Sequence, residues 1–162
     1  MNIKIGFILL AIGLLSCSKP QPKNVIIDFK GKEQNLTLIA DSIKYEVVVQ
    51  ATENDTWETE RLKGYTNHRE LVEGIFKNVT NGKLKAYDYA TDEPLTVEEL
   101  RKLLDDQKID AAQVGKLLFT ERWYIDPNGH IYKFITSVTL GKAEYSKQGT
   151  FKGYSALFKV KY

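Results

Sequence analysis

The sequence predicts a protein of the α+β class, with an antiparallel sheet and about two helices packed on one side. Three observations support this class. Strand-like alternation fills the last third of the chain, and helical periodicity occurs twice in the middle. A single Cys among 162 residues excludes an internal disulfide or a zinc finger, so the fold must depend on its core. With 43% apolar and 11% aromatic residues the chain can form one. We expect one globular domain over residues 25–162.

Short strands are expected before the helices. Apolar runs at residues 25–29 and 36–40 flank a polar stretch at 31–35, which is a weak hairpin signal. Residues 43–51 alternate more clearly, since Tyr45 and Val47 would share one face of a strand and Glu46 and Gln50 the other. We expect this strand to be covered on one side.

The middle of the chain predicts two helices. The stripe of the first consists of Leu71, Val72, Ile75, Phe76 and Val79. Asn67 is expected to cap its start and Gly82 to follow its end. Thr96-Val-Glu-Glu99 predicts a capping box for the second helix. Residues 84–89 between the helices predict a short strand, and residues 105–116 fit either a further helical turn or a link.

The last third predicts three strands, at residues 117–125, 131–140 and 154–162. Asp126-Pro-Asn-Gly129 joins the first two, because Pro127 sets φ for a tight turn and Gly129 can take a positive φ. The first two strands should therefore pair antiparallel.

The first 17 residues predict an export signal and a lipid anchor. Lys4 precedes an apolar run of 11 residues, Ile5–Leu15, which as a helix would span only about 16 Å, about half a bilayer core. Leu14-Leu15-Ser16-Cys17 resembles a bacterial lipobox, which implies cleavage after residue 16 and acylation of Cys17. The alternative is an ordinary or uncleaved secretory signal with an incidental Cys.

Residues 17–24 would then form a tether to the membrane. They contain two prolines and two lysines and no acidic residue. In lipoproteins of the Bacteroidetes type, acidic residues after the Cys favour display outside the cell. Their absence predicts a lipid anchor in the outer membrane with the domain facing the periplasm.

The chain carries no catalytic signature, and we expect neither an enzyme nor a cofactor. His68 and Glu70 match the H-x-E of zinc deaminases, but the required C-x-x-C pair is missing. His68 and His130 are the only histidines and lie 62 positions apart, so we expect no metal site. A net charge of +2 also gives no reason to expect nucleic-acid binding.

Glu121 is the most informative polar residue, because alternation places it between Phe119 and Trp123 on the more apolar face of its strand. It could act as a general acid or bind a ligand; alternatively it forms a structural ion pair or faces water at a sheet edge. Trp123, Tyr124 and Tyr132 could line a ligand cleft or a protein interface with it, or could belong to the core.

Charge is unevenly distributed along the chain. Residues 88–110 hold eight acidic and three basic residues, whereas residues 127–162 hold six lysines and one glutamate. Two oppositely charged faces can steer protein association. Lysines on exposed strands can equally serve to prevent aggregation.

Three segments resemble the periplasmic gliding-motility and type IX secretion ring protein family of Bacteroidetes. They are Leu71-Val-Glu-Gly-Ile-Phe-Lys-Asn-Val-Thr-Asn-Gly-Lys-Leu-Lys-Ala-Tyr87, the acidic Asp92-Glu93 followed by Leu95-Thr96, and Glu121-Arg-Trp-Tyr-Ile-Asp126. The resemblance covers residues 57–140. It implies a related fold and action through protein contacts.

Two functions follow as hypotheses. The first is a non-enzymatic, lipid-anchored interaction or assembly component of the cell envelope, with an envelope protein as its partner and a possible link to gliding motility or type IX secretion. The competing hypothesis is a small-ligand-binding module whose aromatic cleft is lined by Glu121, Trp123, Tyr124 and Tyr132.

Overall fold

One five-stranded antiparallel sheet organises the chain. The computed structural model describes residues 36–51, 55–64 and 68–162. Its elements are β1 (Thr37–Val48), α1 (Thr56–Leu62), α2 (His68–Thr80), β2 (Ala86–Tyr87), α3 (Val97–Asp106), β3 (Val114–Ile125), β4 (Ile131–Tyr145) and β5 (Phe151–Lys161), with a 3₁₀ turn at Ala111–Gln113 before β3. The strands lie in the order β1-β3-β4-β5-β2.

The α+β class predicted from the sequence is wrong, because the fold is mostly β. Strands hold 44% of the described residues and helices 27%, in three short α-helices. The strand content is higher than predicted because several strands extend beyond their expected ends. Most notably, β4 continues to Tyr145 and β3 begins at Val114, inside the stretch whose conformation the sequence left open.

A bulge explains why β1 is one strand rather than two. Its register against β3 shifts between Leu38 and Ile43, and Ser42 within that interval has a φ of 56°. A residue in this conformation interrupts alternation without ending the strand. Residues 36–40 and 43–48 therefore belong to the same edge strand. The rest of the expected hairpin, residues 25–35, lies outside the described residues.

Two helices cover one face of the sheet. Four of the five residues in the predicted α2 stripe are buried, namely Val72, Ile75, Phe76 and Val79, whereas Leu71 is exposed. Leu100 and Leu104 of α3 join them. On the sheet side the cluster includes Leu117, Leu140, Phe158 and Val160, and Phe76 meets Phe158 edge to face with 5.5 Å between ring centroids. The core thus lies between α2, α3 and the middle of the sheet.

The local signals around α2 and α3 are mostly confirmed. The Thr96 side chain accepts a hydrogen bond from the Glu99 backbone, and the Glu99 side chain accepts one from the Thr96 backbone, which completes the capping box. Gly82 follows α2 with a φ of 74°. The expected cap Asn67 lies outside the described residues. The sequence did not predict α1, which has no buried residue of its own.

The hairpin predicted between β3 and β4 is confirmed, and a second hairpin joins β4 to β5. Gly129 has a φ of 86°, and its N–H donates to the Asp126 carbonyl, which closes the turn between β3 and β4. β5 pairs antiparallel with β4 along its length, with two register shifts. This long three-stranded unit of β3, β4 and β5 forms the frame on which the candidate site is built.

Candidate functional site

Glu121 is a buried acidic residue in the second half of β3. Only 5% of the residue is exposed. The Tyr45 hydroxyl donates to Glu121 Oε1 at 2.6 Å, and the Trp123 indole N–H donates to Oε2 at 2.8 Å. Tyr45 comes from β1 and Trp123 from β3 itself, two residues along on the same face. Each carboxylate oxygen therefore has one donor from a neighbouring aromatic side chain.

These partners differ from those expected at the sequence level. A structural ion pair was one of the predicted roles, but no salt bridge to Glu121 occurs within the part of the chain that the structure describes. Desolvation and the hydrogen bond to Glu121 raise the pKa of Tyr45 to about 12. Tyr45 therefore keeps its proton and remains a donor at neutral pH.

Aromatic stacking closes this small network. The ring of Tyr45 lies parallel to that of Phe119, with 5.4 Å between centroids. On the other side, Lys133 Nζ lies 4.1 Å from the centre of the Trp123 ring, a cation–π contact. Glu121 is thus enclosed by side chains of β1, β3 and β4.

The other two predicted site residues, Tyr124 and Tyr132, lie on the opposite face. They pair with each other across β3 and β4, one position out of phase with Glu121 and Trp123. Tyr124 packs edge to face on Phe134 at 5.6 Å, and the Tyr132 hydroxyl donates to Asp126 Oδ2 at 3.2 Å. The structure therefore brings together Glu121 and Trp123 but not all four residues.

The cavities lie elsewhere. One of about 380 Å³ is lined by Gln50, Gln107, Gln113 and Tyr145, at the end of the sheet remote from Ile125. Another, of about 420 Å³, is a groove between α2 and the C-terminal Tyr162. Among the described residues, Glu121, Trp123, Tyr124 and Tyr132 line neither these two cavities nor three smaller ones.

An exposed apolar surface borders the Glu121 network. We use the term open face for Tyr45, Leu71, Ile135 and Tyr162, which are between 40% and 63% exposed. Leu71 and Tyr162 line the same groove, and the Tyr162 backbone donates to the Thr136 carbonyl, next to Ile135. Ile135 in turn pairs with Glu121. The open face thus combines residues of β1 and β4 with one residue of α2 and the residue that follows β5.

Sequence reasoning missed most of the open face. Alternation identified the β3 residues, but a register shift opposite Thr120 and Glu121 moves Ile135 to the face of Glu121. Leu71 belongs to the predicted stripe of α2 but lies at its margin and remains 43% exposed. The signal that could have found this surface is the number of apolar residues on β4, which exceeds what two short helices can cover.

The two oppositely charged segments meet at the surface of the molecule. Asp92, in the acidic segment, binds Lys159 Nζ and Lys161 Nζ of β5, each at 2.7 Å. Lys161 also lies over the ring of Tyr87, with 4.2 Å between Nζ and the centroid. Part of the charge asymmetry is therefore neutralised by internal pairing, and it gives less support to a steering role than the sequence alone suggested.

His130 follows the turn after β3 and contacts Asp126. His130 Nδ1 lies 2.9 Å from Asp126 Oδ2, whereas the side chain of His68 lies outside what the structure describes. Among the described residues no group of three or more His, Cys, Asp or Glu side chains could hold a metal ion. No helix in those same residues is both long and apolar enough to cross a bilayer. Cys17 lies outside them.

Known proteins give no independent assignment. The chain matches no protein-family model, and no curated protein is significantly similar to it.

Proposed function

We propose that the protein is a lipid-anchored, non-enzymatic interaction component of the cell envelope that binds a partner protein through its open face. The observation that carries the proposal is the open face itself, a group of exposed apolar side chains formed by Tyr45, Leu71, Ile135 and Tyr162. Exposed apolar patches on soluble domains can mark sites of protein interaction. Aromatic side chains at its two ends match the composition of protein interfaces.

The chemistry of Glu121 supports binding rather than catalysis. Both of its oxygens already accept hydrogen bonds from Tyr45 and Trp123, and the residue is almost completely buried. The network therefore serves to hold the floor of the open face rigid. A rigid apolar surface loses little conformational entropy when a partner binds.

The proposed location in the cell follows from the first 17 residues of the chain. The lipobox at residues 14–17 supports acylation of Cys17, and the absence of acidic residues after it supports a periplasmic orientation. The resemblance of residues 57–140 to the gliding-motility and type IX secretion ring proteins supports an assembly role in the envelope. A partner in the same compartment follows from this address.

Site-specific photocrosslinking in the native cell tests the interaction. We would place p-benzoylphenylalanine at Ile135, on the open face, and as a matched control at Phe151, which is similarly exposed at 40% but lies on the β4–β5 hairpin. We expect a discrete protein adduct from position 135 and none from position 151. Equal adducts from positions 135 and 151 would contradict the proposal. So would the absence of an adduct both from position 135 and from the same probe placed at Tyr162.

The proposed acylation of Cys17 is tested separately by metabolic lipid labelling. Cys17→Ser is expected to abolish incorporation of labelled fatty acid, because the thiol that receives the diacylglycerol is lost. Ser16→Ala keeps a small residue before the Cys and should remain labelled. Label that persists in Cys17→Ser would exclude this lipid anchor.

The competing ligand-binding hypothesis has less support. Its four residues lie on two faces of the sheet, so they do not form one cleft. A small-ligand site would have to use the groove between α2 and Tyr162 instead.

A further inference from the structure

The end of the sheet where the described chain begins carries an unusual group of exposed aliphatic side chains. We use the term sheet tip for Leu38 and Ile39 of β1 together with Ile131 of β4, which are 49%, 47% and 57% exposed. Leu38 pairs with Tyr124, and Ile131 pairs with Ile125, which itself pairs with Thr37. Neighbouring strands are about 4.8 Å apart, so these side chains occupy one small region.

The sheet tip differs from the open face because it is apolar on both sides of the sheet. Leu38 is in register with Tyr124, whereas Ile131 is on the face of Trp123. A partner protein that docks on one face would leave the other side exposed. A bilayer accepts such a two-sided edge, since acyl chains and headgroups can surround it.

Aromatic residues lie one step behind the sheet tip. Trp123 is on one face, and Tyr124 and Tyr132 are on the other. Trp and Tyr concentrate at the boundary between headgroups and acyl chains, because they combine an apolar ring with a polar group. The polar turn Asp126–His130 joins β3 to β4 beyond Ile131. Behind this turn the aliphatic residues come first and the aromatic residues follow, an order that suits the boundary between headgroups and acyl chains.

The charges near the sheet tip are compatible with this position. Arg122 Nε lies 3.0 Å from Asp41 Oδ1, and His130 lies 2.9 Å from Asp126, so these groups are paired within the protein. Lys133 reaches over the Trp123 ring. An ammonium group at this depth can contact lipid phosphates while its methylene stem stays among apolar groups.

The direction of the chain links the sheet tip to the membrane. The described part of the chain starts at Leu36, adjacent to the sheet tip, and Cys17 precedes it by 19 residues. Those residues can extend no further than about 65 Å, at about 3.4 Å each. A short link gives the anchored bilayer a high effective concentration at the nearest apolar surface of the domain.

We propose that the sheet tip, formed by Leu38, Ile39 and Ile131, inserts into the headgroup boundary of the phospholipid bilayer that carries the lipid anchor. The inference rests on the proposed anchor at Cys17. Together, the anchor and the sheet tip would fix the orientation of the domain on the bilayer. In this orientation the sheet tip faces the lipid, and the open face remains accessible to a partner protein. The ligand is the phospholipid surface itself.

The two Trp residues provide a built-in test. Trp123 lies just behind the sheet tip, whereas Trp57 of α1 is 71% exposed. Burial raises the pKa of Tyr154, and the charge of Glu58 in α1 raises it further, so α1 lies near this side chain. The Tyr154 ring packs on Gly115, at the far end of β3. Ten residues of strand separate Gly115 from Ile125, or about 33 Å. Lipid at the sheet tip should therefore contact only one of the two indoles.

The experiment uses residues 17–162 coupled through the Cys17 thiol to maleimide lipid in vesicles of phosphatidylethanolamine and phosphatidylglycerol with brominated acyl chains. Cys17 is the single Cys of the chain, so coupling is unambiguous. In the Trp57→Phe variant we expect bromine to reduce Trp123 fluorescence by about twofold, since interfacial indoles contact the upper acyl chain. In Trp123→Phe, Trp57 fluorescence should not change.

Charged substitutions at the sheet tip provide the second measurement. In the Trp57→Phe background, Ile39→Glu with Ile131→Glu should abolish quenching, whereas Phe151→Glu, at a similarly exposed position on the far hairpin, should leave it intact. Both sites are surface positions, and circular dichroism with thermal unfolding checks that the variants fold. Quenching that survives the tip substitutions, or equal quenching of Trp57 and Trp123, would overturn the inference.

The remaining outcomes are also informative. If the tip variant loses the crosslink from position 135 while vesicles never quench Trp123, the sheet tip is part of the protein interface and the membrane contact is excluded. Chemical coupling replaces acylation in this experiment. A failure of lipid labelling at Cys17 would therefore overturn the anchor without deciding whether the tip can enter a bilayer.

Discussion

The helix-side face of the sheet has two halves that exclude water in different ways. In the covered half, Leu117, Leu140 and Phe158 lie beneath α2 and α3, and the contacts are apolar. In the open half Glu121 is instead buried beside Tyr45 and Trp123, which donate hydrogen bonds to it. The same strands thus carry a conventional core at one end and a small polar network at the other.

The difference shows how a sheet can keep a surface available. Apolar burial has no direction and needs a second layer, whereas hydrogen bonds to a carboxylate fix the orientation of the side chains that make them. Tyr45 and Trp123 are held in place without a covering helix, and their rings form part of the apolar surface around them. The open half can therefore be ordered before any partner binds.

The largest effect is expected in the covered half. Phe158→Ala removes a side chain that is fully buried and packs on Phe76. We expect a loss of about 3–5 kcal/mol in the free energy of unfolding, because the cavity cannot be filled by its neighbours. Urea denaturation followed by circular dichroism measures it. Phe151→Ala, at an exposed aromatic on the same strand, should cost much less; similar losses would show that burial does not distinguish them.

The polar network of the open half should contribute less. Tyr45→Phe and Trp123→Phe each leave one oxygen of a buried carboxylate without its donor, which costs about 1–2 kcal/mol. Combining either change with Glu121→Gln in a double-mutant cycle should give a coupling energy clearly different from zero. Strict additivity in the cycle would mean that the hydrogen bonds do not support the open half.

Much of the covered half could be predicted from the sequence because its signals are local. The stripe of α2 and the capping box at Thr96 each depend on residues within a few positions. The same holds for the turn before Gly129, which lies at the end of the open half. Alternation also identified Glu121 as the polar residue to examine. These features follow from backbone geometry and need no knowledge of the rest of the fold.

The open half could not be predicted in the same way because it depends on register. The donor from Tyr45 reaches Glu121 across 76 positions of sequence, and shifts in β1 and β4 decide which residues are opposite one another. A shift of one residue exchanges the two faces of a strand. The extent of the strands was misjudged for a related reason: Ser42 has a positive φ inside β1, a conformation that a sequence pattern does not reveal.

A smaller effect is expected where α3 begins, on the helix that covers the core. Thr96→Ala removes the side-chain acceptor for the Glu99 backbone N–H, and we expect a loss of about 1 kcal/mol. Thr96→Ser keeps the hydroxyl and should be nearly neutral. Thermal unfolding of the three proteins measures the difference. Equal losses in both variants would show that the cap does not contribute through its hydroxyl.

The smallest effect concerns Asp126, in the turn at the end of the open half, and it should appear as a pH dependence. Desolvation alone would raise the pKa of Asp126, but hydrogen bonds from His130 and from the backbone of Asn128 outweigh it and lower the pKa from 3.8 to about 2. Because the folded carboxyl holds its proton less tightly than the unfolded one, its contribution to stability is present above about pH 4 and is lost as the pH falls toward 2.

Asp126→Asn keeps an oxygen that can accept the backbone N–H bonds but carries no charge. Its difference in unfolding free energy from the parent protein should therefore be constant above about pH 5 and shrink between about pH 4 and 2. Denaturation curves at intervals across this range measure it; a difference that does not change with pH would show that the carboxylate of the turn acts only through neutral hydrogen bonds.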